Sequence, residues 1–293
     1  MDNPNCIDRI SFVRRLTVYC IVVVSLTAGC GPRFVYPNLN WLIPWYVEDY
    51  LPMTGEQEAS LRGDIEKFLY WHCRNELVRY VKFFRQTALH FEETAVVDGA
   101  FFERKTGQLE QFYRDLVQRI GPELTELLRS TDDKQVETLF LNLEKENRDL
   151  VEKHVGRTPE KRNERRQDRM KKLLRKWIGD VNEQQAAVVA VWSKDLDGSF
   201  DIWIANRRHV QKLFHRLIVE KRFSNEFTGM LTHMLINTDE YYTADYRAMS
   251  LQRRQGSYAL LAKIVSGLTE KQRMRLVANL SKMADDLDTL RCL

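Results

Sequence analysis

Cysteine and proline are scarce in this chain, and neither is spread evenly. Of 293 residues only five are cysteine and seven are proline, and after Pro52 only Pro122 and Pro159 remain. Proline interrupts helices from within and is tolerated at their starts. Its near absence from residue 54 onward therefore leaves room for long uninterrupted helices. Alternating β-branched runs are absent as well, which removes the signature of half-buried strands. Beyond residue 30 no apolar run approaches the roughly 20 residues needed to span a bilayer. Charge of one sign is lacking too: 45 Lys and Arg against 41 Asp and Glu give a net +4. That is too near neutral for a general nucleic-acid binder. The sequence also has no G-x-S-x-G elbow, phosphate loop, dinucleotide glycine pattern or H-E-x-x-H. The familiar hydrolase, nucleotide and zinc-protease signatures are thereby excluded.

What is present begins at the N-terminus. Arg9, Arg14 and Arg15 precede an apolar run from Leu16 to Ala28, which ends in Leu26-Thr27-Ala28-Gly29-Cys30. These are the three zones of an export signal. The small residues before Cys30 mark a lipoprotein signal, cleaved between Gly29 and Cys30, with lipid carried on the Cys30 sulfur and its new amino group. Thr27 departs from the usual Leu three places before the cysteine, although Leu26 is adjacent. The alternative, an uncleaved membrane helix, is short of a span and runs into Cys30-Gly31-Pro32. Gly31, in place of an inner-membrane-retaining Asp, points to the periplasmic face of the outer membrane, with the inner membrane as the alternative. Cleavage leaves 264 residues with net charge +3. It also leaves Cys73 and Cys292 as candidates for a disulfide in an oxidising compartment, against two unpaired thiols.

The mature chain reads as all-α, a multi-helix bundle. Leu276, Leu280, Met283, Leu287 and Leu290 form one helical stripe. Met170, Leu173, Leu174, Trp177 and Ile178 form a second, and Leu213, Leu217 and Ile218 a third. Breaks are expected at Asp98-Gly99, Gly156 with Thr158-Pro159, Gly179-Asp180, Asp197-Gly198 and Gly267. Gly121-Pro122 is expected to kink or split its helix. Four helix starts share one form, a capping residue followed three places later by Gln: Thr54/Gln57, Asp132/Gln135, Asn182/Gln185 and Thr269/Gln272. The first and third lie 128 residues apart and the second and fourth 137. Two similar halves of helical hairpins are one explanation; four ordinary helix starts are the other. The expected division is a signal at 1–29, an anchored aromatic and proline tract at 30–53, and a helical domain at 54–293. Its halves would be 54–178 and 179–293.

The segment from Tyr36 to Tyr46, with Asp49-Tyr50, the first capping box and Trp71-His72 before Glu76-Leu77, resembles a bacterial lipoprotein family of unknown function. The resemblance implies an exported, lipid-anchored helical protein and brings no activity with it. Cys73 and Val78 depart from that family's pattern, where a basic residue and proline are usual. Leu268-Thr269-Glu270-Lys271-Gln272 is similar to the Leu-Thr-x-x-Gln motif of small periplasmic stress proteins, among them all-α chaperones and metal-responsive proteins. That likeness implies helical hairpins and client binding.

Candidate chemistry is sparse. His72 and Glu76 share a helix face but make only two ligands of a metal site, so no metal or cofactor is assigned. The carboxylate pairs Glu92-Glu93, Asp132-Asp133 and Asp285-Asp286 are adjacent and face different ways, which suits caps and solvated faces better than catalysis. Ten Lys or Arg lie between Arg157 and Lys176 against three acids. Arg165, Arg166, Arg169 and Lys172 are the candidates for contact with an anionic envelope surface, the alternative being an ordinary exposed face. Trp41, Trp45 and Tyr46 either meet the membrane headgroups or pack into a groove of the bundle. Packing is favoured, because four prolines make the tract extended and preordered. The expected function is non-enzymatic binding of an envelope component or protein client, with the covalent lipid as the membrane link. The alternative is an envelope hydrolase or transferase with catalytic groups assembled across helices.

Overall fold

A computed structural model describes residues 32–196 and 198–290. Among them there are helices and turns but no strand. A short helix α1 (Pro32–Val35) and a 3₁₀ turn (Tyr36–Asn38) lead into α2 (Leu39–Glu48). Then follow α3 (Gly55–Glu93), α4 (Gly99–Arg129), α5 (Asp133–Val155) and α6 (Pro159–Ile178). After them come α7 (Glu183–Lys194), α8 (Ser199–Lys221), α9 (Phe227–Ile236), α10 (Ala244–Ser266) and α11 (Glu270–Asp288).

All four Gln-bearing starts form reciprocal capping boxes, at the heads of α3, α5, α7 and α11. Each satisfies two backbone donors that the first helical turn otherwise leaves bare. The breaks at Asp98, Thr158, Gly179, Gly198 and Gly267 fall between helices as expected. Gly179 has φ +83°, a backbone conformation that favours glycine, and the Arg275 guanidinium lies 3.0 Å from where a Cβ would stand. Pro122 does not split its helix: α4 runs on through it. The adjacent Gly121 instead allows a close approach, since a Cβ there would lie 2.6 Å from Thr232 Oγ1 on α9. Two further breaks, before α9 and before α10, carry no glycine or proline. The second is marked only by Thr243, whose side chain caps α10.

The proline tract is helical, which corrects the expectation of an extended segment. Pro32 opens α1 and Pro37 lies in the first turn of the 3₁₀ segment, positions where a missing amide proton costs nothing. Pro44 is inside α2 and cannot donate to the Asn40 carbonyl, four residues back. Arg62 Nη1 supplies that donor at 3.3 Å. The helix therefore survives its proline because a neighbouring helix answers the orphaned acceptor.

Packing joins the two ends of the sequence. α3 lies along α11, and α6, α7 and α10 close around them. Their shared core runs through Leu77, Tyr80, Phe84, Ile178, Val189, Ile264 and Leu280. A second core lies where α4 and α5 meet α8 and α9, around Val136, Ile218, Phe227 and Leu231. No helix among the described residues is long and apolar enough to cross a membrane.

Candidate functional site

Cys30 and Gly29, where lipid attachment and cleavage were expected, lie outside the described residues, as does Cys292. Cys73 is buried in the first core and is held in a disulfide whose partner lies outside them too. The aromatic tract docks on α3, but not through its tryptophans. Pro32, Leu39, Pro44 and Leu51 are the buried residues, while Trp41 is 47% and Trp45 59% exposed. The groove-filling role expected of Trp41 and Trp45 is thus corrected: both indoles face outward, and the neighbouring Ile43 is half-buried. Trp41 Nε1 donates to Asn38 Oδ1 at 3.0 Å, within its own tract. Tyr46, 100° further round the helix than Trp45, is half-buried with its hydroxyl 3.5 Å from that of Tyr50.

Tyr36 carries the deepest contact of the tract. Its hydroxyl donates to the Leu69 carbonyl at 3.1 Å and lies 3.1 Å from His72 Nδ1. On the other side, His72 Nε2 is 3.3 Å from the Tyr80 hydroxyl. Burial among these rings and Phe68 lowers the His72 pKa to about 4, so the ring is neutral near pH 7. His72 and Glu76 share a face, yet they serve different partners. Glu76 is buried and receives two hydrogen bonds from Arg79 Nη1, at 2.8 and 2.9 Å. The same nitrogen reaches Asp115 at 2.6 Å. Burial raises the Glu76 pKa and the Arg79 guanidinium opposes that rise. The two carboxylates converge on a cation rather than on a cavity. No cluster of three or more metal-binding side chains occurs among the described residues.

Other acidic groups are also engaged. Glu144 and Glu146 on α5 pair with Arg208 and Arg207 on α8. Beside them, buried Asn147 accepts from Arg207 Nε at 2.6 Å and donates to Gln211 at 2.7 Å. Asp132 caps α5, Asp285 pairs with Arg85, and Asp286 with Arg33 and Lys282. On the basic helix α6, Arg165, Arg169 and Lys172 are exposed. Arg166 is not: it donates through Nε to the Ser193 carbonyl at 3.2 Å and closes the last turn of α7.

An open groove of about 670 Å³ lies between α5 and the end of α8. Val136, Phe140, Leu141, Val219 and Phe223 supply its apolar walls, and Asp133 and Glu137 stand among them. Leu141 is 60%, Val219 54% and Phe223 71% exposed. Arg222 is buried at the same place, paired with Asp133 and lying 4.7 Å from the Phe223 ring centre. Its Nε has no hydrogen-bond partner among the described residues. Sequence reasoning missed this groove. The available signal was weak: apolar residues at 219 and 223, one turn apart, add a second stripe beside the buried Leu217-Ile218 pair.

The chain belongs to DUF6279, a family of unknown function, which matches residues 49–247. It matches no curated protein and no solved structure.

Proposed function

From that membership as the premise, we propose that this is an exported, lipid-anchored helical protein that binds a protein client and performs no catalysis. The anchor is Cys30, exposed by cleavage after Gly29, on the periplasmic face of the outer membrane. The client site is the groove between α5 and α8. The observation that carries this reading is the exposure of Leu141, Val219 and Phe223 around one open cavity. Apolar side chains clustered at a concavity gain from being covered, about 1.5–3 kcal/mol for a phenylalanine-sized group. The carboxylates support binding over catalysis in a complementary way. Glu76, Asp115, Glu144 and Glu146 are each held by arginine, whereas a general acid and base must converge on a substrate.

The test is photo-crosslinking in intact cells from a probe at position 223, with a second probe at exposed Met274 on α11. The expected result is adducts from position 223 that Leu141→Asp abolishes, and none from position 274. No adducts from 223, or adducts unaffected by Leu141→Asp, would overturn the groove as client site.

A further inference from the structure

We infer that the outward face of α2, carrying Trp41 and Trp45, sits in the headgroup layer of the membrane that holds the chain. The inference rests on the lipid anchor proposed above and adds the orientation in which the body meets the bilayer.

Tryptophan is among the residues most buried on average. Two half-exposed indoles spaced i, i+4 on one helix face call for a partner outside the fold. They are not exposed because the tract is loose. Leu39 and Pro44 of the same helix are buried, Arg62 reaches the Asn40 carbonyl, and Tyr36 is held by Leu69 and His72. The inner face of α2 is therefore fixed on α3, and that fixes the direction of the outer one.

The position of the anchor selects the occupant. Pro32 lines a small apolar recess with Leu287 and Leu290, at the end of α11. Cys30 is two residues upstream, and two residues of chain reach at most about 7 Å. Acyl chains at Cys30 therefore start beside the body rather than at the end of a long tether. From Pro32 to Trp41 the backbone is helical or 3₁₀. At 1.5–2 Å per residue, nine residues span at most about 18 Å. The indoles and the lipid attachment therefore lie within about 25 Å of each other, so one bilayer surface can engage both. Indole rings favour this layer because they combine a broad apolar surface with a polar N–H edge. Glu48 and Asp49 follow directly on the same tract, so the contact depends on the interface itself and not on anionic lipid.

The lipidated full chain is reconstituted in phosphatidylcholine vesicles, with and without lipid brominated near the headgroup. Bromine quenches tryptophan at contact range. We expect quenching in the wild type, its loss in the double variant Trp41→Phe/Trp45→Phe, and its retention in Trp71→Phe. An unquenched wild type, or equal quenching in the double variant, overturns the inference while the protein still floats with the vesicles. Failure to float with neutral vesicles overturns the anchor instead. A contact of these indoles with a second copy would show as an unquenched, vesicle-bound protein, and so would also overturn it.

Discussion

Gln185 and Gln272 face each other across the heads of α7 and α11, each donating its side-chain amide to the other's side-chain carbonyl at 3.0 Å. Gln57 and Gln135 repeat the exchange between α3 and α5, at 3.2 and 2.7 Å. Each glutamine also donates to the backbone carbonyl two residues before its partner's cap. The pairs are Gln57 to Ser130, Gln135 to Pro52, Gln185 to Gly267 and Gln272 to Asp180. Asn142 and Asn279, themselves 137 residues apart, both donate to carbonyls just ahead of a capping box, at Tyr50 and Trp177. The recurrence of one hydrogen-bond pattern at matched positions supports reading the chain as a duplicated pair of hairpins. The two expected halves are in contact with each other, since α3 packs on α11 and α5 on α8.

Gln272→Ala strips a partner from both the Gln185 amide and the Asp180 carbonyl. A cost of about 1–3 kcal/mol follows from leaving such buried groups unpaired. The double variant Gln185→Ala/Gln272→Ala is expected to cost less than the sum of the singles, by about 0.5 kcal/mol or more. Urea unfolding of the three variants measures both quantities. Strict additivity would show that the pair does not act as a unit.

His72 sets a pH window. Its folded pKa of about 4 lies below the ordinary histidine value near 6.5, because burial disfavours the charged ring. The contribution is fully present above pH ~6.5 and is lost as pH falls toward ~4, where the unfolded chain takes up the proton first. The shift corresponds to about 3 kcal/mol. His72→Gln should flatten the stability profile between pH 4 and 6.5, measured by thermal unfolding at stepped pH. An unchanged slope would place the proton uptake elsewhere.

Arg79→Met leaves Glu76 buried without its cation. Arg79 is partly exposed, so the expected cost is about 2 kcal/mol, less than for a wholly buried pair. Burial already raises the Glu76 pKa, and removing Arg79 raises it further. The defect should therefore shrink as pH is lowered and Glu76 takes up a proton. Adding Glu76→Gln should restore most of the lost stability at pH 7. Chemical denaturation at two pH values checks both expectations.

The Cys73 disulfide is expected to join Cys292, which leaves Cys30 for lipid. Mass analysis of unreduced peptides should find the Cys73 peptide linked to the C-terminal one. Linkage to the peptide bearing Cys30 would overturn both the pairing and the lipid attachment. Cys73→Ser should cost about 2–5 kcal/mol, the usual range for a native bridge.

Much of the helical framework was legible in the chain because it depends on local chemistry. A capping residue with glutamine three places on satisfies its own amides wherever it occurs, and all four such starts formed. Glycine-marked breaks and apolar stripes at 3.6-residue spacing are equally local. By itself the sequence determined the all-α class and most helix boundaries, and it marked Trp41 and Trp45 as residues needing a partner. Only the tertiary structure decided which way those indoles face, because direction depends on what α3 offers beneath α2. Arg62 rescues a helix through Pro44 that local rules would end, and no spacing along the chain links residues 40 and 62. The groove at Leu141, Val219 and Phe223 was hidden for the same reason. A cavity is a relation between two helices, and this one exists only because α5 and α8, far apart in sequence, are brought together.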